Sequence, residues 1–121
     1  MGHVHRPNAD GVRQIRTTKK EKMKQESEKT LEARLVREIE ARGGMALKYT
    51  SQYHRGIPDR IVLLPGGTVI FVELKSTGKK PTKLQQHAIA RLSGLGFWCA
   101  VISRTESLEK LLEFIDSGSR Q

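Results

Sequence analysis

The stretch GIPDRIVLLPGGTVIFVELKS, residues 56–76, contains two short apolar runs joined by a Pro-Gly-Gly turn. Both runs are rich in Val, Ile and Phe, which favour strands, and the turn is typical of a β-hairpin. If the hairpin is centred on Gly66, Asp59 at the start of the first strand lies directly opposite Glu73 near the end of the second. The stretch therefore predicts two carboxylates facing each other at the open end of the hairpin.

The two faces of this hairpin differ in character, because side chains alternate along a strand. One face is wholly apolar and is predicted to be buried; it carries Val62, Ile70, Val72 and Leu74. The other face is apolar near the turn and ends in Asp59, Glu73 and Lys75. Opposed carboxylates repel each other by up to roughly 1 kcal/mol even when solvated, so a neighbouring positive charge is expected.

A divalent cation would compensate both carboxylates, and Mg²⁺ or Mn²⁺ prefers such hard oxygen ligands. A metal held in this way can polarise a phosphate group and lower the pKa of an attacking water molecule. Lys75 lies on the same face, from which it could orient that water molecule or stabilise the transition state. These residue types therefore point to phosphodiester hydrolysis, whereas the alternative interpretation is a salt-bridge cluster on the surface.

The charge balance of the whole chain agrees with a nucleic-acid partner. The 121 residues include 22 Lys and Arg against 13 Asp and Glu, which gives a formal net charge of +9. A polyanion is the expected partner of such a chain. No run of 18 apolar residues and no apolar leader is present, so we expect neither a membrane span nor a signal peptide.

The single cysteine, Cys99, cannot form an internal disulfide and is expected to be an inert thiol in a buried strand of a protein from a reducing compartment. Gly66 and Gly67 lack the spacing of a phosphate-binding loop, so no nucleotide cofactor is expected. Trp98 and Phe97 are expected to pack in the core or in an interface between subunits.

Apolar periodicity predicts the element order α-β-β-β-α-β-α, an α/β fold with a mixed central sheet flanked by helices. The predicted helices start at residues 29, 82 and 103, and the predicted strands span residues 45–49, 59–64, 68–75 and 97–102. Capping boxes are predicted at Thr82–Gln85 and Ser103–Glu106. We expect residues 1–26 to form a basic, flexible arm, residues 27–117 a single domain, and residues 118–121 a tail.

Gly-Ile-Pro-Asp at 56–59 followed by Glu-Leu-Lys at 73–75 resembles the signature of the PD-(D/E)XK nucleases, which have a restriction-endonuclease-like core. The resemblance is closer to one branch, the VRR-NUC (virus-type replication-repair nuclease) domains. This branch shares a helix with an early glutamate, a Gly-Gly pair, a basic glycine loop and a Pro-Thr-x-Leu-Gln helix start. Here those features are Glu32, Gly43–Gly44, Gly78-Lys79-Lys80 and residues 81–85, and the resemblance spans about residues 28–116.

The resemblance implies a role for each matching residue. Asp59, Glu73 and the backbone carbonyl of Leu74 would bind the metal, and Lys75 would be the catalytic lysine. Glu32 would support the metal or its water, and Gln85 would face the active site; without the resemblance Glu32 would be a solvated helix charge and Gln85 only a capping residue.

Small stand-alone members of this branch resemble structure-specific endonucleases that act as homodimers on branched DNA such as Holliday junctions. Because a reducing compartment is expected, we expect this chain in the cytoplasm of a bacterial or phage-infected cell. Nucleic-acid contacts are expected from five basic side chains: His54, Arg55, Lys79, Lys80 and Lys83. The competing hypotheses are a non-catalytic module that binds nucleic acid through the same basic surface and an RNase with the same site.

Overall fold

The computed structural model describes residues 14–15, 27–51 and 55–118. Within these residues the elements are β1 (Gln14–Ile15), α1 (Glu28–Ala41), β2 (Met45–Lys48), β3 (Arg60–Leu64), β4 (Thr68–Leu74), α2 (Lys83–Gly94), β5 (Trp98–Ile102) and α3 (Thr105–Asp116). The α/β class and the order of elements from α1 onward are as predicted.

Helix α1 begins where Ser27 accepts a hydrogen bond from the backbone N–H of Thr30. Its buried side chains, Leu31, Leu35 and Ile39, recur at a spacing of four residues and form one apolar stripe. At its end, the backbone N–H of Gly44 donates to the carbonyl of Ile39. A side chain on Gly44 would collide with the backbone of β3, since a Cβ there would lie 2.5 Å from the carbonyl oxygen of Leu63. The Gly-Gly pair thus ends the helix and lets the chain pass close to the sheet.

The sheet has the strand order β1-β5-β4-β3-β2, with β4 and β5 parallel and β2, β3 and β4 antiparallel. In the β3–β4 hairpin, Leu64 pairs with Thr68 and Arg60 pairs with Val72. This is the register predicted from a turn centred on Gly66, which is therefore confirmed. Gly66 and Gly67 both have positive φ angles, 90° and 89°, which the tight turn requires.

One face of the sheet is buried under α1 and α3, and it carries the apolar residues of β4 and β5. Val62, Ile70 and Val72 are completely inaccessible to solvent. Trp98 on the same face packs edge to face on Phe114 of α3, with ring centroids 4.8 Å apart. The prediction that Trp98 lies in the core is confirmed.

The opposite face is only partly covered. Helix α2 lies over β5, where the thiol of buried Cys99 points to the carbonyl of Ile89 at 3.9 Å. Burial raises the pKa of this thiol to about 11, as expected of an inert core cysteine. Farther along the sheet, Met45 and Leu47 of β2 remain 55% and 39% exposed. Helices flank both faces as predicted, but on this face α2 covers β5 and leaves β2 exposed.

Two further details differ from the sequence prediction. No strand was predicted before α1, whereas Gln14–Ile15 pairs in parallel with Cys99 and Ala100 at the sheet edge. The proposed Ser103–Glu106 capping box is also wrong. The hydroxyl of Ser107 accepts hydrogen bonds from the backbone N–H groups of Ser103 and Arg104, and so caps α3 from inside its first turn.

Candidate active site

Three side chains from neighbouring strands form a row across the partly open face of the sheet. Leu47 pairs with Ile61, and Ile61 pairs with Phe71. Continuing both registers by two residues brings Tyr49, Asp59 and Glu73 side by side, and Tyr49 N–H donates to the Asp59 carbonyl over 2.8 Å. Neighbouring strands are about 4.8 Å apart, so adjacent members of this row are close neighbours. The hairpin therefore brings the two predicted carboxylates to one face.

Glu73 is a buried carboxylate, only 6% exposed, and its partners hold one of its two oxygens. Oε2 accepts a hydrogen bond from the Nε2 of Gln85 at 3.0 Å and lies 3.4 Å from the Nζ of Lys75. Burial raises the pKa of Glu73 above its ordinary value; Lys75 opposes this change, and the negative charge of Asp59 adds to it. A cation bound between the two carboxylates would offset the cost of burying the charge of Glu73. It would also offset the repulsion between Glu73 and Asp59.

Gln85 has two functions that follow from one geometry. Its side-chain Oε1 accepts from the backbone N–H of Thr82 at 2.9 Å, and its own N–H donates to the hydroxyl of Thr82 at 3.1 Å. The predicted capping box at the start of α2 is thus confirmed. Because Oε1 is held by the cap, Nε2 is the end of the amide that reaches Glu73.

The turn that carries Asp59 packs directly on the start of α2. Gly56 has a φ of +85°, and a Cβ at this position would lie 2.6 Å from the carbonyl oxygen of Leu84 and 3.1 Å from the backbone nitrogen of Gln85. Pro58 in the same turn is fully buried. The glycine therefore lets the Asp59 turn approach the residue that binds Glu73.

Lys75 and Leu74 lie where β4 ends. The backbone N–H of Lys75 donates to the carbonyl of Ile102 at 2.9 Å, which continues the parallel pairing with β5. The Lys75 side chain is 19% exposed, so it can reach both Glu73 and solvent. Leu74 is buried in the core, and metal binding by its carbonyl stays a prediction.

Glu32 does not have the surroundings expected of a residue that supports a metal. Its carboxylate forms an ion pair with the guanidinium of Arg60, which also donates to the carbonyl of Ala46 at 3.0 Å. Arg60 alternates with Asp59 along the chain, so this pair belongs to the face covered by α1. The negative charge of Glu28, one turn earlier in α1, is the least of the influences that raise the pKa of Glu73. Support of a metal by Glu32 stays a prediction.

Five basic residues are predicted to contact nucleic acid. Four of them lie within the described residues, and all four are exposed. Arg55 lies beside Gly56, while Lys79 and Lys80 follow Gly78 in the loop before α2, and Lys83 starts that helix. His54 lies outside the described residues. Arg55 lies a few residues before Asp59 in the sequence, and the three lysines lie between Lys75 and Gln85. Binding of nucleic acid by these side chains stays a prediction.

The described residues offer few ligands for a metal ion. In residues 27–51 and 55–118 no three His, Cys, Asp or Glu side chains form a group able to hold a metal. The two carboxylates of Asp59 and Glu73 still suit Mg²⁺, which usually binds one or two protein carboxylates and completes its shell with water and substrate phosphate. The site therefore fits a hydrated hard cation better than an ion enclosed by protein ligands.

Within the described residues, no helix has the length and apolar character needed to cross a membrane.

Neither Tyr49 nor Glu28 was singled out from the sequence. The alternation Met45-x-Leu47-x-Tyr49 was a usable signal for the first, since it puts the tyrosine on the same face as its two apolar neighbours. For the second, α1 carries acids at several positions, and nothing in their spacing distinguishes Glu28.

Comparison with known proteins adds two similarities. The chain is 42% identical over 89 residues to the protein named "Putative nuclease p44" of Acyrthosiphon pisum secondary endosymbiont phage 1, covering 74% of this chain and 95% of that protein. A solved structure described as "VRR_NUC domain" is similar with a TM-score of 0.68 and 28% identity, covering 73% of this chain and 97% of that one. No protein-family model matches the chain.

Proposed function

Because the chain belongs to the VRR-NUC family of nucleases, we propose that it is an endonuclease that hydrolyses phosphodiester bonds of DNA with a bound Mg²⁺ or Mn²⁺ ion. The observation that carries this proposal is the shared face of Asp59 and Glu73 beside Lys75. The burial of Glu73 next to a second carboxylate has no structural benefit, since it raises the pKa of Glu73 and opposes its ionisation.

In this proposal Asp59 and Glu73 hold the metal. The bound metal would supply a water molecule of lowered pKa and would polarise the phosphate. Glu32 is the proposed helix acid that assists from α1, and the Leu74 carbonyl is a proposed further ligand.

Two other residues of the site orient Glu73. Gln85 and Lys75 both contact its Oε2, which holds this oxygen in place and leaves Oε1 for the metal. The ammonium group of Lys75 can also hydrogen-bond an attacking water molecule or stabilise the charge that develops on the phosphate. Arg55, Lys79, Lys80 and Lys83 would bind flanking phosphates, and the affinity for DNA should therefore fall steeply with salt.

Branched DNA, such as a four-way junction, is the proposed preferred substrate, and a homodimer the proposed active form. Exposed Leu95 and Phe97, 70% and 40% accessible just after α2, offer an apolar surface for a second copy. Light scattering over a range of protein concentrations tests the dimer, and a mass of one chain at every concentration would contradict it.

The activity is tested with labelled duplex, flap, splayed and four-way DNA and with RNA of the same sequences, each incubated with and without Mn²⁺. We expect metal-dependent cleavage of DNA, fastest on a branched form. Binding without cleavage of any form would favour a non-catalytic nucleic-acid-binding module, and cleavage of RNA alone would favour an RNase.

A further inference from the structure

We propose that Tyr49 is a stacking platform for an unpaired base next to the scissile phosphate. This inference rests on the proposed nuclease function and extends it, because it gives the site a means of selecting DNA whose bases are not all paired.

The first support is the position of Tyr49. It is the third member of the row that contains Asp59 and Glu73, and its backbone N–H donates to the Asp59 carbonyl at 2.8 Å. Two strand spacings, about 10 Å, separate its backbone from that of Glu73. A phosphate bound between the two carboxylates would therefore have its neighbouring nucleotide within reach of the tyrosine ring.

The second observation in support is that the side chain of Tyr49 is accessible to solvent. Tyr49 is 44% exposed, although the buried face of the same sheet is completely sealed from solvent. Helix α2 covers this face at β5 and stops short of β2. An aromatic ring that stays accessible beside an active site offers a flat apolar surface together with a hydroxyl that can remain hydrated.

The charge around the row favours a nucleic acid as the occupant. The chain has a formal net charge of +9, and exposed Arg55 lies in the same turn as Gly56 and Asp59. A polyanion bound at the two carboxylates would lie about 10 Å from the backbone of Tyr49. Aromatic side chains stack on every base, because each base presents a π-face, so the contact would select structure more than sequence.

Stacking on Tyr49 requires a base with a free face. Inside a duplex both faces of each base are covered by neighbouring base pairs, whereas bases at a branch point, flap or loop can be splayed outward. The tyrosine would therefore contribute to binding of unpaired or branched DNA and contribute little on a continuous duplex.

The test compares Tyr49→Ala, Tyr49→Phe and a matched control, Met45→Ala, in the full-length chain. Met45 starts β2, which ends one residue before Tyr49; it lies on the same face, is 55% exposed, and is four residues farther from the charged row. Binding is measured without divalent metal on two DNAs, a continuous duplex and the same duplex with an unpaired segment that contains 2-aminopurine. Circular dichroism and light scattering of each variant accompany the binding curves.

We expect Tyr49→Ala to weaken binding to the DNA with unpaired bases by about fivefold or more, and binding to the duplex by less than about twofold. Tyr49→Phe and Met45→Ala should bind both DNAs like the wild type. Quenching of 2-aminopurine should be lost only in Tyr49→Ala, and the salt dependence should not change, since no charge is removed.

Equal losses on both DNAs, an equal loss in Met45→Ala, or a lower molecular mass of Tyr49→Ala would each overturn the inference. The last two results would identify the face as an apolar surface for a second copy. These outcomes leave the nuclease proposal standing, because cleavage by the wild type is measured separately. A wild type that binds DNA but never cuts it would instead refute the nuclease and not the stacking contact.

Discussion

The two faces of the central sheet carry alternate side chains of the same strands, but one face is a buried apolar core and the other is partly open and charged. On the face under α1 and α3, the side chains of Val62, Ile70 and Val72 are inaccessible to solvent. On the opposite face, next along the same strands, Asp59 and Glu73 meet with Lys75 close by, and Tyr49 remains exposed. A small domain can thus derive its stability from one face and leave the other free to hold charges that a core could not tolerate.

Truncation of one residue on each face gives the largest contrast. Ile70→Ala should lower the free energy of unfolding by about 2–5 kcal/mol, because it leaves a cavity in a fully buried cluster. Leu47→Ala, on the open face and 39% exposed, should cost under about 1 kcal/mol. Urea denaturation with an unchanged slope measures both. A similar loss in the two variants would show that the second face is also covered, and a loss that depends on protein concentration would identify a second copy as the cover.

Removal of the lysine of the site should separate catalysis from binding and stability. Lys75→Ala should slow cleavage by about 10²–10³-fold, because it removes the positive charge proposed to stabilise the reacting phosphate. DNA affinity should change little, since the proposed phosphate contacts come from other exposed basic side chains. Single-turnover cleavage and fluorescence anisotropy measure the two quantities, with Lys110→Ala on α3 as the control. Cleavage at the wild-type rate would remove Lys75 from the mechanism.

Two glycines with the same backbone conformation test the close approach behind Asp59. Gly56 and Gly67 have φ angles of +85° and +89°, but only Gly56 faces backbone atoms of α2; a Cβ on Gly67 meets nothing within 4 Å. Alanine at either position should cost about 1 kcal/mol for the left-handed backbone. Gly56→Ala should in addition shift the Asp59 turn and raise the Mn²⁺ concentration needed for half-maximal cleavage.

Thermal unfolding and metal-dependent cleavage are both measured for Gly56→Ala and Gly67→Ala. If Gly56→Ala and Gly67→Ala behave alike in both measurements, the packing of the turn on α2 has no part in positioning Asp59.

The buried carboxylate of Glu73 should lower the free energy of unfolding at neutral pH. Because burial raises the pKa of Glu73, the folded state binds this proton more tightly than the unfolded chain, and the ionised group opposes folding as pH rises. Glu73→Gln should therefore raise the melting temperature by a few degrees at pH 7 and leave it unchanged below about pH 4, where both forms are neutral.

The melting temperatures are compared at the two pH values in metal-free buffer, with Glu109→Gln on the exposed side of α3 as the control. A Glu73→Gln variant that melts below the wild type at pH 7 would mean that its contacts with Lys75 and Gln85 outweigh the cost of burial.

The sequence alone was sufficient for the hairpin and for the start of α2, because local rules determine them. A two-glycine turn fixed the register of β3 and β4, and the cap at Thr82 fixed the start of α2. The same local rules failed for α3, where Ser103 and Ser107 compete as caps and the second hydroxyl is the one that binds the free N–H groups. The two-residue strand β1 has no periodicity that a sequence could show.

The residues of the candidate site were predictable only where the register of paired strands determines their positions. Asp59 and Glu73 follow from the register, but the surroundings of Glu32 depend on how α1 lies on the sheet. Arg60 binds Glu32 there. Tyr49 was missed because β2 ends at Lys48 and β3 begins only at Arg60, too far along the chain for a short turn to determine the register of β2.

The claim that Asp59 and Glu73 share one divalent ion is tested most directly by titrating Mn²⁺ into the DNA-free protein by calorimetry, with the wild type, Asp59→Asn, Glu73→Gln and Glu32→Gln in parallel. We predict one Mn²⁺ site per chain in the wild type and in Glu32→Gln, and its loss in both Asp59→Asn and Glu73→Gln. Undiminished binding in either of these two variants would contradict the account.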